Sequence, residues 1–225
     1  MTQEDAKKRA AEHAVNFIEG GMFVGLGTGS TAYWAIKKIG ERVAQGLQIK
    51  AIATSNRSEE LARELNIPII GFADTNYLDI TIDGADEVSD ALNVIKGGGG
   101  ALLREKIVAA NSKKLVIVVD ESKRVQQLGA FKLPVEVTVF GWEATFKKLQ
   151  QLGCSPDLRM KDGKVFITDN SNYIVDCAFG MIENPAQLHD AINAITGVVD
   201  NGLFIQMASK VIVAKNDGTI EVLEK

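Results

Sequence analysis

The sequence predicts an α/β fold: a mostly parallel, Rossmann-like sheet flanked by helices, with a smaller α+β domain inserted before the C-terminal strands. Up to about residue 128, short apolar runs alternate with stretches of helical periodicity, and this alternation favours parallel strands joined by helices. Beyond that point strand patterns follow one another closely, which is typical of antiparallel pairing. The sequence has no repeat of fixed period and no low-complexity linker, so we expect the two parts to pack closely together.

The helices of the first part are predicted from apolar spacing and from the residues at their ends. Ala6, Ala10 and Ala14 repeat at helical spacing, and a helix is predicted over 5–19, where two glycines follow. Further helices are predicted over 31–45, 56–65 and 101–112. The strands predicted between the helices lie at 22–26, 49–53, 68–71, 78–82, 93–96 and 114–119. The last of these strands is strongly apolar, as expected of a strand that is buried on both faces.

The second part mixes antiparallel strands with two helices. Its predicted order is a strand, a helix, a group of antiparallel strands and a second helix, at 133–139, 142–152, 156–178 and 184–195. Asp162-Gly163 predicts a hairpin turn within the group of strands. Asn184 and Pro185 have the residue types expected at the cap and the first position of the second helix.

The C-terminal tail, 203–224, again has a strand pattern, with a turn at 216–218, and it could rejoin the first sheet. We therefore predict two domains. Residues 1–128 and 204–225 form the Rossmann-like domain, and residues 129–203 form a small α+β, ferredoxin-like domain.

Composition and charge limit the possible partners and compartments. The chain has 225 residues with 25 Lys and Arg against 29 Asp and Glu, and its net charge of -4 argues against non-specific nucleic-acid binding. No apolar run approaches the roughly 20 residues of a membrane span, and the polar segment Met1–Arg9 has no hydrophobic signal core behind it. We therefore expect a soluble, cytoplasmic protein without a membrane or nucleic-acid partner.

Cysteine and histidine are too sparse to suggest a disulfide framework or a metal site. Cys154 and Cys177 are expected to be reduced thiols. His13 and His189 are expected to be ordinary helix residues, because a site built from His and Cys ligands needs more of them, closer together.

The loop at 25–31 is the first candidate for a binding site. Its glycines allow a sharp turn after a strand, and the following helix begins there with free N–H groups that favour an anion. Ser30 and Thr31 add hydroxyl donors, so the loop could bind phosphate, although a tight turn with a Ser/Thr cap is the plain alternative. The glycine spacing does not fit a dinucleotide fingerprint, and the next strand ends without a carboxylate to bind a ribose. A P-loop is excluded because no Gly-Lys-Ser/Thr follows.

Asp83-Gly-Ala-Asp86-Glu87 is the second candidate, because its carboxylates directly follow an apolar strand. Ligand sites of open α/β sheets lie at the carboxyl ends of the strands. The segment could bind Mg²⁺, take part in proton chemistry or be solvated, and the sequence leaves these alternatives open.

Two further loops follow predicted strands. Four glycines after Lys96 are explained better by close approach of backbone to a ligand than by a linker, because ordering them has a large entropic cost. Glu105 lies in the next helix and could project back over these glycines, while Lys123 follows the buried strand at 114–119. Taken singly, each of these three side chains could equally be a solvated surface residue.

The four loops together offer anion donors, carboxylates and lysines, and no nucleophilic Ser or Cys with a His partner is evident. The chemistry that these residues favour is proton transfer next to a carbonyl of a small phosphorylated substrate, for which a carboxylate base, an oxyanion partner and a phosphate anchor suffice.

The same segments resemble the type A ribose-5-phosphate isomerases, and the resemblance covers nearly the whole chain. The matching segments are Gly27–Thr31, Asp83–Glu87, Lys96–Lys106, Val119–Lys123, Leu133–Val137 and Gly197–Phe204. The second and third together are highly specific. The resemblance implies an aldose–ketose isomerase of the pentose phosphate pathway that interconverts D-ribose 5-phosphate and D-ribulose 5-phosphate through an enediolate. It further implies no metal or other cofactor, and a homodimer or sometimes a tetramer.

The resemblance also implies residue roles. Glu105 is the expected catalytic base, Asp83 or Asp86 assists opening of the sugar ring, and Lys96 contacts substrate oxygens. Substrate and phosphate binding is expected at Lys7, Thr28, Gly29, Ser30, Thr31, Gly84, Ala85, Gly97, Gly98, Gly99 and Lys123.

Three other functions would use the same residues differently. A non-catalytic sugar-phosphate-sensing module would keep the phosphate loop without a base, but an added DNA-binding helix-turn-helix is not visible in the sequence. A coenzyme-A transferase would form a thioester at Glu105. A metal enzyme that uses Asp83 and Asp86 would lose activity in a chelator, and we expect no loss.

Overall fold

The computed structural model describes residues 2–224. Met1 and Lys225, the outer ends of the predicted first domain, lie outside the described residues. Met1 is also the first residue of the polar segment Met1–Arg9. The described helices are α1 (Gln3–Val15), α2 (Ser30–Ala44), α3 (Asn56–Glu64), α4 (Leu102–Ala110), α5 (Trp142–Gln151) and α6 (Pro185–Asn193).

The described strands fall into a main sheet, the sheet of the small α+β unit, a short third sheet and a hairpin. In chain order they are β1 (Phe23–Leu26), β2 (Lys50–Ala53), β3 (Ile80–Asp83), β4 (Glu87–Ser89), β5 (Val94–Ile95), β6 (Leu115–Asp120), β7 (Arg124–Val125), β8 (Leu133–Val137), β9 (Ser155–Leu158), β10 (Met160–Lys161), β11 (Lys164–Val165), β12 (Tyr173–Ala178), β13 (Val198–Asn201), β14 (Leu203–Phe204), β15 (Lys210–Ala214) and β16 (Ile220–Glu224).

The main sheet has the order β16-β15-β6-β3-β1-β2, and every pairing in it is parallel except β15 with β16. Alternate side chains of β6 enter different cores, as the two-residue period of a strand requires. Val116 and Val118 pack with α1 and α2, whereas Ile117 and Val119 pack on the other face with Ala109 of α4. The predicted α/β fold class is confirmed, and the tail rejoins this sheet through β15 and β16.

The small α+β unit has a sheet of order β13-β8-β12-β9, in which all pairings are antiparallel. Leu133, Val135 and Val137 of β8 form its core with Leu149 of α5 and Ile192 of α6. The strand–helix order βαββαβ is ferredoxin-like. The exact domain boundaries at 128/129 and 203/204 stay a prediction.

A short third sheet of order β14-β5-β4-β7 brings two predicted loops together. Its strands have two or three residues; β5 lies in the extended segment predicted at 93–96 and β14 begins the strand pattern predicted at 203–224, whereas β4 and β7 were not predicted. The N–H group of Asp86 donates to the carbonyl of Ile95 at 2.8 Å, and the N–H group of Lys96 donates to that of Gly202 at 2.9 Å. The antiparallel pairing of β4 with β5 therefore places the Asp83–Glu87 segment beside Lys96.

Two predicted elements differ from the structure. The predicted strand at 68–71 is a single bridge between Ile69 and Ala51, because Pro68 lacks an N–H group and a 3₁₀ turn begins at Phe72. The first helix ends at Val15 rather than at residue 19, because the next N–H groups bond three residues back instead of four.

Within residues 2–224 no helix is long and apolar enough to cross a membrane. Cys154 and Cys177 are buried free thiols in the core of the small unit.

Candidate active site

A cavity of about 340 Å³ opens where β1, β3 and β6 end, at the carboxyl edge of the main sheet. It gathers most of the residues predicted for the site: Lys7, Thr28, Gly29, Ser30, Thr31, Gly84, Ala85, Asp86, Lys96, Gly97, Gly98, Gly99, Glu105 and Lys123. Asp83 is 1% exposed and lies behind the wall that these residues form. Gln3, which sequence reasoning missed, also lines the cavity.

A buried ion cluster forms one wall of the cavity. The Nζ atom of Lys96 lies 3.0 Å from Oδ2 of Asp83 and 3.1 Å from Oε1 of Glu105, and it also donates to the carbonyl of Gly84 at 2.5 Å. Lys96 is only 2% exposed. One ammonium therefore bridges two carboxyl groups and fixes the distance between the loops that carry them.

The two carboxylates of the cluster differ in how fully they are hydrogen-bonded. Oδ1 of Asp83 accepts N–H bonds from Thr28 at 3.0 Å and Gly84 at 2.8 Å, while Oδ2 faces Lys96. Oε2 of Glu105 is buried and has no hydrogen-bond partner among the described residues. Of the two, Glu105, in the first turn of α4, is thus the carboxylate that has an oxygen without a hydrogen-bond partner, and it lines the cavity.

Burial and, after it, the negative charge of Asp83 raise the pKa of Glu105 to about 8 against the pull of the Lys96 ammonium. Burial also raises the pKa of Asp83, although Lys96 and two N–H donors oppose that rise. Burial alone would lower the pKa of Lys96. The negative charges of Asp83 and Glu105 have a larger effect and hold this pKa above its usual range. Lys96 therefore stays charged, and the Glu105 carboxyl can gain or lose a proton near neutral pH.

The glycine loop, residues 97–100, packs directly on Asp86. The N–H group of Gly98 donates to Oδ2 of Asp86 at 2.8 Å. A Cβ atom at position 98 would lie 2.5 Å from Oδ1 of Asp86, so only glycine permits this approach. The loop therefore brings backbone N–H groups to the same wall as Asp86 and Glu105.

Another group of cavity-lining residues is suited to an anion. Gly29 precedes α2 with a φ of 107° and offers no side-chain cap, so the first N–H groups of a 15-residue helix remain available to a ligand. The side chains of Lys7 and Lys123 line this cavity, and Gln3 joins them from the start of α1. This combination of a helix N-terminus and two ammonium groups favours a phosphate.

The hydroxyl group of Thr28 contacts other hydroxyl groups of the protein. Its Oγ1 atom lies 2.7 Å from Oγ1 of Thr54, 2.8 Å from Oγ of Ser55 and 3.2 Å from Oγ of Ser58. These buried hydroxyl groups hold the loop before α2 in place. No role was predicted for residues 54–57. The Thr-Ser pair directly after a predicted strand was the signal that could have indicated hydroxyl contacts at this edge of the sheet.

The three carboxylates of the Asp83–Glu87 segment diverge. Glu87 is buried on β4 and accepts N–H bonds from Gly129 at 2.7 Å and Phe131 at 2.6 Å. It therefore fixes the segment that leads into β8 of the small unit. Across residues 2–224, no group of three His, Cys, Asp or Glu side chains is placed to hold a metal ion.

The two cations that flank Glu105 hold α4 against neighbouring elements. Arg104 donates to Oδ1 of Asn170 at 3.0 Å and to Oδ1 of Asn56 at 2.8 Å. Lys106 donates to Oδ1 of Asp200 at 2.6 Å. Both bonds to the small unit fix the rotation of α4, and hence the direction in which Glu105 projects.

This fold and site define an enzyme that moves a proton on a small phosphorylated molecule. A sequence profile of the family described as ribose 5-phosphate isomerase A (phosphoriboisomerase A) matches residues 50–218. A curated ribose-5-phosphate isomerase A from Bacillus thuringiensis subsp. konkukian (strain 97-27) is 57% identical over 219 residues, which cover 97% of this chain and 100% of that protein.

Solved structures agree with the sequence comparison. The ribose 5-phosphate isomerase from Plasmodium falciparum has a TM-score of 0.96 and 40% identity, with 99% of each chain covered. A D-ribose-5-phosphate isomerase in complex with phospho-erythronic acid also has a TM-score of 0.96, with 39% identity over 100% of both chains. The chain belongs to the ribose 5-phosphate isomerase A family, and it isomerises ribose 5-phosphate. The family and activity expected from the sequence are confirmed, and the sensing module is not supported.

Proposed function

We propose that Glu105 is the base that carries the proton between C2 of ribose 5-phosphate and C1 of ribulose 5-phosphate. The observation that carries this proposal is the unpartnered Oε2 atom of Glu105 at the cavity wall. Its other oxygen is fixed by Lys96 at 3.1 Å, so the free oxygen has a defined direction. A carboxyl with a pKa of about 8 is matched to proton transfer near neutral pH.

Ring opening precedes proton transfer, and Asp86 is the better candidate of the two aspartates to assist it. Asp83 is 1% exposed, and its oxygens are engaged by Lys96 and two N–H groups. Asp86 lines the cavity and has one N–H partner, Gly98. Asp83 instead holds Lys96 and the loop at Thr28 in position.

The enediolate formed after proton removal is stabilised by Lys96 and by N–H groups of the glycine loop. The removal of one such donor typically lowers the rate about 10²–10³-fold, or roughly 3–4 kcal/mol. The related structure that contains phospho-erythronic acid is consistent with a site for phosphorylated sugar acids. Glu105 then returns the proton to C1, and ribulose 5-phosphate leaves.

Lys123→Ala is expected to weaken substrate binding without a comparable loss of turnover. Lys123 lines the cavity together with Lys7, and it is not part of the ion cluster around Lys96. The KM for ribose 5-phosphate should rise about 10-fold or more while kcat changes much less, because phosphate contacts act equally on substrate and transition state. Initial-rate kinetics measure the split, and an unchanged KM would remove Lys123 from the phosphate site.

The rate should depend on pH through Glu105. A base must be ionised to accept a proton, so kcat/KM is expected to rise with pH and level off above a pKa of about 8. The same raised pKa should lower folded-state stability as pH rises from 4.5 to about 8, because over this range the folded chain holds a proton that the unfolded chain has lost. A kcat/KM profile that stays flat between about pH 6.5 and 9 would contradict the assignment of this pKa to the base.

Isomerisation in deuterated water tests the proposed chemistry as a whole. The ketose product should carry deuterium at C1 to the extent that the base exchanges with solvent, and the substrate should lose its C2 proton. Glu105→Gln should neither form the ketose nor remove the C2 proton of the substrate at a significant rate. Ketose formation by that variant at the wild-type rate would overturn the proposal.

We infer a homodimer that acts in the cytoplasm, in the non-oxidative pentose phosphate pathway. Phe140 is 96% exposed next to Val139 at 42%, which gives one apolar surface that a second copy could cover. Buried free thiols at Cys154 and Cys177 suit a reducing compartment. Light scattering of the purified protein would decide the first point, and a monomer at working concentration would contradict it.

A further inference from the structure

A guanidinium group from the small unit supports the glycine loop from outside the cavity. Arg159 follows β9, and its Nη1 atom donates to the carbonyl of Gly97 at 2.8 Å and to that of Gly98 at 3.2 Å. Arg159 itself does not line the cavity. It was not among the residues that the sequence singled out, because 62 and 61 positions separate it from Gly97 and Gly98.

Asp176 fixes the plane of this guanidinium. The Nε atom of Arg159 donates to Oδ2 of Asp176 at 2.8 Å, and Nη2 donates to Oδ1 of the same carboxylate. The two side chains are 13% and 19% exposed. The ring of Phe166 lies 5.9 Å from the guanidinium carbon on one side. Because a bidentate pair has a defined geometry, Arg159 presents its remaining N–H groups to the loop in one direction.

This direction determines where the amide groups of the loop point. No peptide bond within residues 2–224 is cis, and in a trans peptide the N–H group points opposite to the carbonyl. The N–H group of Gly98, opposite the Gly97 carbonyl, donates to Asp86 at 2.8 Å. The N–H group of Gly99, opposite the Gly98 carbonyl, points away from Arg159. It has no hydrogen-bond partner in the described part of the chain, and Gly99 lines the cavity.

We propose that Arg159 is a positioning residue for the isomerisation: it aims the Gly99 N–H group at the developing enediolate oxygen and the Gly98 N–H group at Asp86. The inference rests on the proposed function, in which the glycine loop stabilises the enediolate. The cationic charge of Arg159 also polarises the two peptide groups, which strengthens both N–H donors. Arg159 touches no substrate, and Asp176 acts through Arg159.

The test compares Arg159→Met and Arg159→Lys with a matched control, Lys132→Met. Lys132 belongs to another ion pair of the small unit, with Asp157 at 2.6 Å, but it is 53% exposed and does not line the cavity. Arg159→Met is expected to lower kcat at least about 10-fold with KM for ribose 5-phosphate changed less than about twofold. Arg159→Lys should recover part of kcat, because it keeps the charge and one donor, and Lys132→Met should match the wild type.

Arg159→Met leaves the Asp176 carboxylate without its partner, and this could destabilise the variant. A double variant keeps the test valid in that case. Arg159→Met/Asp176→Leu leaves no uncompensated charge, so it should fold while kcat stays low. Inorganic phosphate, titrated as a competitive inhibitor, should bind both variants as it binds the wild type. Wild-type kcat in the folded double variant would overturn the proposal. Weakened phosphate binding with a proportionate rise in KM would also overturn it, because that pattern indicates general disruption of the site.

Glu105→Gln is measured in the same series so that two failures can be told apart. Low turnover in Glu105→Gln with wild-type kcat in Arg159→Met would refute only the role of Arg159. Wild-type turnover in Glu105→Gln would refute the proposed base, whatever the Arg159 variants do.

Discussion

Glu105→Gln is expected to lower kcat by at least about 100-fold, with KM for ribose 5-phosphate nearly unchanged, because the amide cannot accept the C2 proton while it keeps the shape of the carboxyl. The glutamine oxygen can still accept from Lys96, so the wall of the cavity should keep its geometry. Steady-state kinetics with the purified variant provide the measurement.

The control for this variant is Glu87→Gln. Glu87 belongs to the same motif region and is also buried, but its oxygens accept N–H bonds from Gly129 and Phe131 and it does not line the cavity. Glu87→Gln should lower stability with much less effect on kcat of the folded enzyme. Equal loss of kcat in the two variants would show that a buried carboxylate is needed only for structure.

Lys96→Met is the second change with a large expected effect, and it should act on both stability and turnover. Lys96 is 2% exposed, and it is the common partner of Asp83 and Glu105. Removal of one partner of a buried ion pair typically destabilises a protein by about 3–5 kcal/mol. Loss of the ammonium also removes the oxyanion partner, which should lower kcat by about 10²–10³-fold. Urea unfolding and steady-state kinetics measure the two effects.

Lys96→Met/Asp83→Asn separates these two consequences. The second substitution removes the charge of one of the two carboxyl groups that Lys96 contacts, so it should recover much of the lost stability. It restores no positive charge, so kcat should stay low. Recovery of kcat together with stability would mean that Lys96 serves only to hold Asp83 and Glu105 in the fold.

Much of this architecture could be predicted from the chain because the relevant signals are local. The periodicity of α2, the apolar run of β6 and the Asn184-Pro185 helix start each depend on a few neighbouring residues. Parallel strands then bring their carboxyl-end loops to one edge, which is why the motif residues meet at one cavity.

The parts that could not be predicted depend on contacts between distant segments. The strands of the third sheet have two or three residues, too few for a periodic pattern, yet they place Asp86 beside Lys96. The burial of Asp83 depends on the arrival of Lys96 from another loop. Gln3 reaches the cavity only because α1 packs near the end of β6, where its side chain lies 3.4 Å from Asp120.

The most direct test of the central claim follows the bond that Glu105 is proposed to break. Ribose 5-phosphate that carries deuterium at C2 is mixed with excess wild-type enzyme or Glu105→Gln, and NMR follows the loss of deuterium from C2 during a single turnover. The wild type should cleave this bond and deliver part of the label to C1, because Glu105 is only 4% exposed and exchanges slowly with water. The variant should leave the label at C2. Cleavage by Glu105→Gln at the wild-type rate would contradict the account.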